Sequence, residues 1–185
     1  MELLVGIDSW IIQDGNYPDF QVGEQYRTAF EFYQPQLSPV PSGCPSLTPL
    51  TNEFYVVSAA VAFASPDLFV IDAGVKLFTE TPPTSPYPVG TFLSGSVGIG
   101  IDPFDYFEGV LENPHWPNLF YTWRLKEIRL ITTPWVVSRD DHDVPTARRP
   151  PGPYTFRTID RTDAQHDSDG NAGYVFLCHD IRLAV

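Results

Sequence analysis

The distribution of apolar and polar residues predicts β-strands, half-buried where the two kinds of residue alternate with a period of two. Stretch 25–33 shows it most clearly, because Tyr26, Thr28, Phe30 and Phe32 share one face. Six other stretches are rich in Val, Ile, Phe, Tyr and Thr, which suit a pleated surface. They are predicted as strands over 53–64, 68–79, 91–101, 104–112, 121–130 and 174–183.

Short turn sequences predict how some of these strands pair. Ser65, Pro66 and Asp67 form a favourable turn, so the strands on either side are expected to make a hairpin. Asp102 and Pro103 separate the next two strands and predict a second hairpin. The C-terminal strand is expected to close the sheet.

The apolar positions of 121–130 change phase in the middle of the strand. Trp123 falls on one face, whereas Ile128 falls on positions of the other parity. A regular strand would turn its buried side outward there, so a β-bulge is predicted near Lys126 or Glu127. A helix is the alternative for this stretch, because its Leu, Lys, Glu and Arg residues have good helical propensity.

Prolines mark the expected loops. The chain has 19 prolines, which argues against a helical bundle, because an interior proline costs a helix about 3 kcal/mol. Three stretches that hold most of them, 34–52, 80–90 and 139–153, are predicted as long proline-rich surface loops. A polar loop with glycine is predicted over 160–173. The 185 residues are expected to form a single domain with little helix.

Three glycines in one apolar run, Gly95, Gly98 and Gly100, indicate strong curvature, because glycine otherwise weakens a strand. Together with the bulge, they predict a mainly β fold, either an antiparallel β-barrel or a tightly curved sandwich. In layout alone the pattern resembles an OB-type barrel, with about five long strands and long loops. A phosphate-binding loop is disfavoured, since Asp102 and Pro103 follow the glycines where a helix would be needed.

Charge is distributed unevenly along the chain. The net charge is −12, and residues 1–123 contain 14 acidic residues against only Arg27 and Lys76. Such a surface repels phosphate, so nucleic acid and anionic membranes are not expected as partners. It would suit a basic protein or a small polar ligand. The simpler interpretation is that the acidic excess keeps the protein soluble.

Targeting signals are not evident at the start of the chain. The first 20 residues carry four carboxylates and no continuous apolar stretch of signal-peptide type. The longest nearly apolar run, 54–64, is far shorter than the roughly 20 residues of a membrane-spanning helix. A cytoplasmic location is therefore expected.

Aromatic and acidic residues are concentrated just after the glycine-rich run. Rigid aromatics with polar tips are good binding anchors, and Trp116, between two prolines, is expected to be partly exposed. The alternative is that these aromatics fill the core at the end of the barrel. The predicted binding residues are Asp102, Asp105, Tyr106, Glu108, His115 and Trp116.

No metal site and no cofactor are predicted with any specificity. Asp163, Asp167 and Asp169 are weak calcium candidates in a glycine-containing loop. The EF-hand pattern fails, because aligning the last two with its third and fifth positions puts Gln165 first and Phe176 twelfth. An ordinary solvated turn explains the segment equally well.

Catalytic signals are scarce. His142 lies among three aspartates in a segment 139–143 that could supply a hydrolase-like His/Asp site, but it also suits a solvated loop. Cys178 lies in an apolar run and is expected to be a buried thiol, whereas Cys44 lies in a loop. Whether the protein is an enzyme is thus left open. A non-enzymatic binding module is favoured over a loop-built enzyme and over a structural homo-oligomeric subunit.

Overall fold

A computed structural model describes residues 1–83, 87–134, 136–139, 145–148 and 153–184. Strands hold 52% of the described residues and helices 10%, so the predicted mainly β class is confirmed. The helices are α1 (Ser9–Gln13), α2 (Asp105–Glu112) and a 3-10 turn at Asp167–Gly170. In chain order the strands are β1 (Leu3–Asp8), β2 (Gln25–Thr28), β3 (Phe30–Val40), β4 (Ser46–Thr51), β5 (Phe54–Ala64), β6 (Phe69–Asp72), β7 (Lys76–Thr79), β8 (Phe92–Ile101), β9 (Tyr121–Ile131), β10 (Val136–Arg139), β11 (Pro145–Arg148), β12 (Phe156–Ile159) and β13 (Gly173–Leu183).

A closed five-stranded barrel forms the centre of the fold, as the sequence predicted. The ring runs β3-β8-β5-β6-β7 and returns to β3. All its pairs are antiparallel except β3–β7, which is parallel and matches Glu31 with Phe78. Gly95 allows the close approach of β3 and β8, because a Cβ there would overlap the carbonyl oxygen of Gln36.

The remaining strands extend the sheet from β8. β1 pairs with β8 in parallel, at Gly6 and Gly100, on the edge that β5 also uses. β13 lies between β1 and β9, so the C-terminal strand is an interior strand that joins them. β9 also pairs with β2, which runs through Ala29 into β3. Consequently β3 and β8 belong both to the barrel and to this second circuit of strands.

Large aromatic side chains fill the core. Trp123 is buried and its indole N–H donates to the Thr28 hydroxyl at 3.0 Å. Phe20 packs beside Trp123 and Phe176. A smaller apolar cluster lies between α2 and the barrel and includes Tyr106. Burial of this surface is the main force that holds the sheet closed.

The strand predicted over 104–112 is wrong, because this segment is helix α2, and the second hairpin therefore does not form. The Asp102 carboxylate accepts hydrogen bonds from the backbone N–H groups of Phe104, Tyr106 and Phe107 at 3.0–3.2 Å. These groups have no acceptor within a first helical turn, so the carboxylate stabilises the start of the helix. A short aromatic run is compatible by composition with a strand or a helix, and here the cap by Asp102 stabilises the helix.

Three other predicted stretches differ from the structure. Stretch 68–79 is two antiparallel strands, β6 and β7, because Gly74 has φ +94° and turns the chain between them. The predicted loop 34–52 contains the end of β3 and all of β4. The predicted loop 139–153 includes β11, and its residues 140–144 and 149–152 lie outside the described part of the chain.

The bulge in β9 is confirmed. Glu127 pairs with Leu177 and Leu125 pairs with Cys178, which leaves Lys126 as the extra residue. The helix alternative for this stretch is therefore excluded.

The hairpin across Ser65–Asp67 is confirmed as β5 and β6. No helix in the described residues has both the length and the apolar character needed to cross a membrane.

Candidate functional site

A cleft of about 440 Å³ opens where β1, β3 and β8 meet the start of β5. None of the described residues that line it is basic. Its walls carry three carboxyl groups and five aromatic rings, which belong to Asp8, Glu31, Glu53, Trp10, Tyr33, Phe54, Tyr154 and Tyr174. The combination of carboxylates and aromatic faces is the chemistry that attracts a cation.

Three glycines make room for the Tyr33 ring in this cleft. A Cβ at Gly98 would lie 2.7 Å from Cζ of Tyr33, and one at Gly100 would lie 3.3 Å from its Cε1. On the neighbouring strand, a Cβ at Gly6 would lie 3.2 Å from the Tyr33 hydroxyl oxygen. The ring therefore lies against a floor of bare backbone contributed by β1 and β8. Two of the three glycines in the run on β8, Gly98 and Gly100, thus leave space for the Tyr33 ring.

The position of Tyr33 orients Glu53. The Tyr33 hydroxyl donates to Oε1 of Glu53 at 3.2 Å, and Glu53 is only 6% exposed. The backbone carbonyl of Glu53 accepts from the N–H of Ile99 at 3.0 Å, which anchors the residue to β8. Burial and the neighbouring Glu53 charge raise the pKa of Tyr33, so the phenol stays a proton donor. The Phe54 ring packs edge to face against the Tyr33 ring, with centroids 5.9 Å apart.

Glu31 is half-buried on β3, between the core residues Phe30 and Phe32. Burial raises its pKa to about 7, with further contributions from the negative charges of Asp102, Asp105 and Glu80. Within the described part of the chain, no hydrogen bond or ion pair reaches its carboxyl group. Its negative charge is thus poorly compensated by the protein itself.

Glu31 belongs to a set of four carboxyl groups that we call the acidic end: Glu31, Glu80, Asp102 and Asp105. Asp102 is fully buried, and desolvation raises its pKa to about 6 although three backbone N–H groups bind its carboxylate. Desolvation and the charges of Asp105, Asp102 and Asp67 raise the pKa of Glu80 to about 7. Among the described residues, the charges that raise the pKa of Glu31, Glu80 and Asp102 are all carboxylates.

Trp10 lies at the rim of the cleft on α1 and is 49% exposed. The loop before β13 holds this short helix in place. The Ser9 hydroxyl donates to the carbonyl of Gly170 at 2.8 Å, and the Gln13 side chain donates to those of Ala164 and Gly170. An exposed tryptophan held by fixed backbone contacts is well suited to contact a ligand.

The residues predicted from sequence to bind a partner do not form one surface. Asp102 is a buried helix cap, and Tyr106 is buried with its hydroxyl donating to the carbonyl of Pro117. Asp105, Glu108 and His115 are exposed on or beside α2. Trp116 is half-buried, as expected, because it packs against Tyr106 with ring centroids 6.1 Å apart. Asp102 and Asp105 affect the cleft only through their charge on Glu31.

Two of the predicted metal candidates, Asp163 and Asp167, bind side chains of their own loop or of the adjoining β13. Asp163 contacts His166 at 2.8 Å, and Asp167 accepts from the Tyr174 hydroxyl at 3.1 Å. Asp169 is exposed on a left-handed turn with φ +54°. Among the described residues, no group of three potential ligands is arranged to hold a metal ion.

The two cysteines differ as the sequence suggested. Cys178 is fully buried in the core, where burial raises the pKa of its thiol, and Cys44 is exposed. The His142 segment, the basis of the loop-built enzyme, lies outside the described residues.

Sequence reasoning missed the cleft itself. Its three carboxylates, Asp8, Glu31 and Glu53, come from distant parts of the chain, and no local motif joins them. The available signal was the pair Gly98 and Gly100, whose bare backbone accommodates a large side chain from a neighbouring strand. Comparisons with family models, with curated proteins and with solved structures returned no match for this chain.

Proposed function

We propose that this protein is a binding module whose cleft takes a lysine or arginine side chain from a basic partner protein. The observation that carries the proposal is one cleft with three carboxyl groups, several aromatic faces and no basic residue among the described residues that line it. A cation there gains both charge attraction and cation–π contact. A cytoplasmic location, expected from the sequence, belongs to the same proposal.

Preorganisation supports this proposal. Tyr33 and Glu53 are held in place by the glycine floor and by a backbone bond to β8, so a ligand would not have to order them. A site that is ordered in advance loses less entropy on binding. Trp10 at the rim supplies the large exposed aromatic face that commonly dominates binding energy.

The charge distribution also supports a basic partner. The first 123 positions, with 14 acidic and two basic residues, supply most of the residues that line the cleft, which favours a negative field there. Such a field steers a basic protein toward its site and makes association sensitive to salt.

Catalysis is a second candidate, favoured by one observation. A carboxyl group in a cleft with its pKa raised to about 7, as burial and its acidic neighbours produce at Glu31, is suited to general acid–base chemistry. The hydrolase-like alternative would then use Glu31 instead of a loop histidine. Turnover of an ester or glycoside substrate that is lost in Glu31→Gln would favour this candidate.

Titration of the protein with acetylated hexa-arginine tests the binding function, with hexa-citrulline as the uncharged control. Calorimetry measures the affinity, and NMR identifies the perturbed residues. We expect binding at low salt that weakens strongly at about 0.5 M salt, where the Debye length is roughly 4 Å. The Trp10 indole resonance should shift.

Two variants separate the cleft from general charge. Glu31→Gln and Glu108→Gln remove the same charge, but Glu108 is exposed on α2 and does not line the cleft. We expect a clear loss of affinity only for the first, and a similar loss for Trp10→Ala. Equal, small effects of Glu31→Gln and Glu108→Gln would show that the cleft is not the binding site.

A further inference from the structure

Glu31 lines the cleft and also belongs to the acidic end, and the register of the barrel strands explains why. On β3 it pairs with Phe78 of β7 on one side and with Gly100 of β8 on the other. Glu80 and Asp102 lie two positions beyond these partners. Side chains two positions apart along a strand point to the same face. Glu31 is therefore flanked by one carboxyl group on each side and also lines the cleft.

The charged groups that raise the pKa of Glu31 are all acidic, and Lys76, two positions before Phe78 on β7, is not among them. α2 contributes Asp105, and Asp67 acts on Glu80 at the outer edge of the set. On the cleft side the titratable groups are Asp8, Glu53, Tyr33, Tyr154 and Tyr174. Ionisation of one of these carboxyl groups disfavours ionisation of its neighbours, so the titrations of Glu31, Glu80 and Asp102 are coupled.

We propose that occupation of the cleft by a cation is coupled to release of a proton from the acidic end, with Glu31 as the shared group. This inference rests on the proposed function, since it describes how the same cleft is regulated. A cation beside Glu31 stabilises the ionised carboxylate and so favours loss of its proton. By linkage, removal of that proton must strengthen cation binding by the same factor.

The direction of the pH effect follows from the acidic character of Glu31. Burial and its acidic neighbours raise the pKa of Glu31 to about 7, so the free cleft is largely protonated at this position below neutral pH. Only the ionised form attracts the cation fully. For one such group the ionised fraction grows about tenfold between pH 6 and pH 8, and the apparent affinity should grow by about the same factor. The protein would therefore release its partner on acidification.

Acetylated hexa-arginine is the appropriate probe, because guanidinium groups do not titrate in this range. Calorimetry at about pH 6, 7 and 8, in two buffers of different ionisation enthalpy, gives both the affinity and the number of protons released. We expect an affinity increase of about tenfold over this range and release of about half a proton at neutral pH.

Glu31→Gln should abolish the pH dependence and bind with a constant low affinity, whereas Glu108→Gln should keep the dependence of the unmodified protein. Carbon-13 NMR of the Glu31 carboxyl group in the free protein provides a measurement independent of binding. A midpoint below about pH 5, close to an ordinary glutamate, would overturn the inference.

The outcomes distinguish the two proposals. Binding that is cleft-specific but independent of pH, without proton release, would leave the binding function standing and refute the coupling. Absence of binding at about pH 8, where the carboxylates are ionised, would refute both.

Discussion

Replacement of Gly98 by alanine tests how the cleft is built. The new Cβ would lie 2.7 Å from Cζ and 2.9 Å from Cδ2 of Tyr33, where ordinary contacts begin at 3.4 Å. The ring must therefore move by more than 0.7 Å, the difference between 3.4 and 2.7 Å, because the new Cβ would lie still closer to its Cε2. Because the hydroxyl of Tyr33 is already 3.2 Å from Oε1 of Glu53, such a displacement can break this hydrogen bond.

The expected cost can be bounded from opposing effects. Gly98 is not among the glycines with positive φ, so alanine fits the backbone there. Without the clash, the substitution would stabilise the protein by about 0.4–1 kcal/mol through the unfolded state. Overpacking of a buried site costs about 1–3 kcal/mol. We expect a net loss of about 1–2 kcal/mol in the free energy of unfolding, and weaker binding of the basic peptide.

Urea denaturation of a double-mutant cycle is the appropriate assay. Tyr33→Ala removes the ring, so Gly98→Ala should cost little or nothing in that background. Gly100→Ala is the graded control, because its Cβ would lie 3.3 Å from Cε1 of Tyr33 and needs only a small adjustment. The reasoning is refuted if Gly98→Ala costs the same with and without the Tyr33 ring.

Two further predictions concern the carboxyl groups. Asp102→Ala should lower the free energy of unfolding by about 2–4 kcal/mol, because three backbone N–H groups at the start of α2 lose their acceptor. Asp102→Asn should cost about half as much, and urea denaturation that shows no loss for either variant would contradict the capping role. Glu31→Gln should stabilise the protein at about pH 8 by about 1–2 kcal/mol, less than the full pKa shift because the side chain is partly hydrated. Since the pKa of Glu31 is raised from 4.5 to about 7 by burial and its acidic neighbours, its ionisation destabilises the fold as pH rises through this range. The difference should vanish near pH 4.5, and a gain that is equal at both pH values would contradict the assignment.

The barrel could be predicted because its causes are local in the sequence. Period-two alternation located the start of β3, a composition that favours strands located β5, β8 and β9, and the change of phase located the bulge at Lys126. Helix α2 was missed because the Asp102 carboxylate caps its start, whereas in the sequence Asp102 followed by proline equally predicts a turn. Composition alone does not distinguish a short aromatic helix from a strand.

The site could not be predicted for a different reason. Glu31 occupies an ordinary outward position of an alternating strand, and nothing in the sequence shows that Glu80 and Asp102 lie beside it. Their proximity arises from β3 pairing with β7 and β8, which are far away in the chain. Long-range register, which local patterns do not encode, therefore determines both the cleft and its charge.

The shared edge of β8 has an evolutionary consequence. β5 pairs with this edge up to Gly98, and β1 takes over at Gly100, so the edge changes partner within two residues. The carbonyl of Glu53 bonds to the N–H of Ile99 at that change of partner, and the cleft opens there. The strand connectivity thus determines where the cleft opens, whereas exposed rim residues such as Trp10 determine which ligand it binds. We expect that substitutions at the rim could give the same scaffold new ligands without changing its fold.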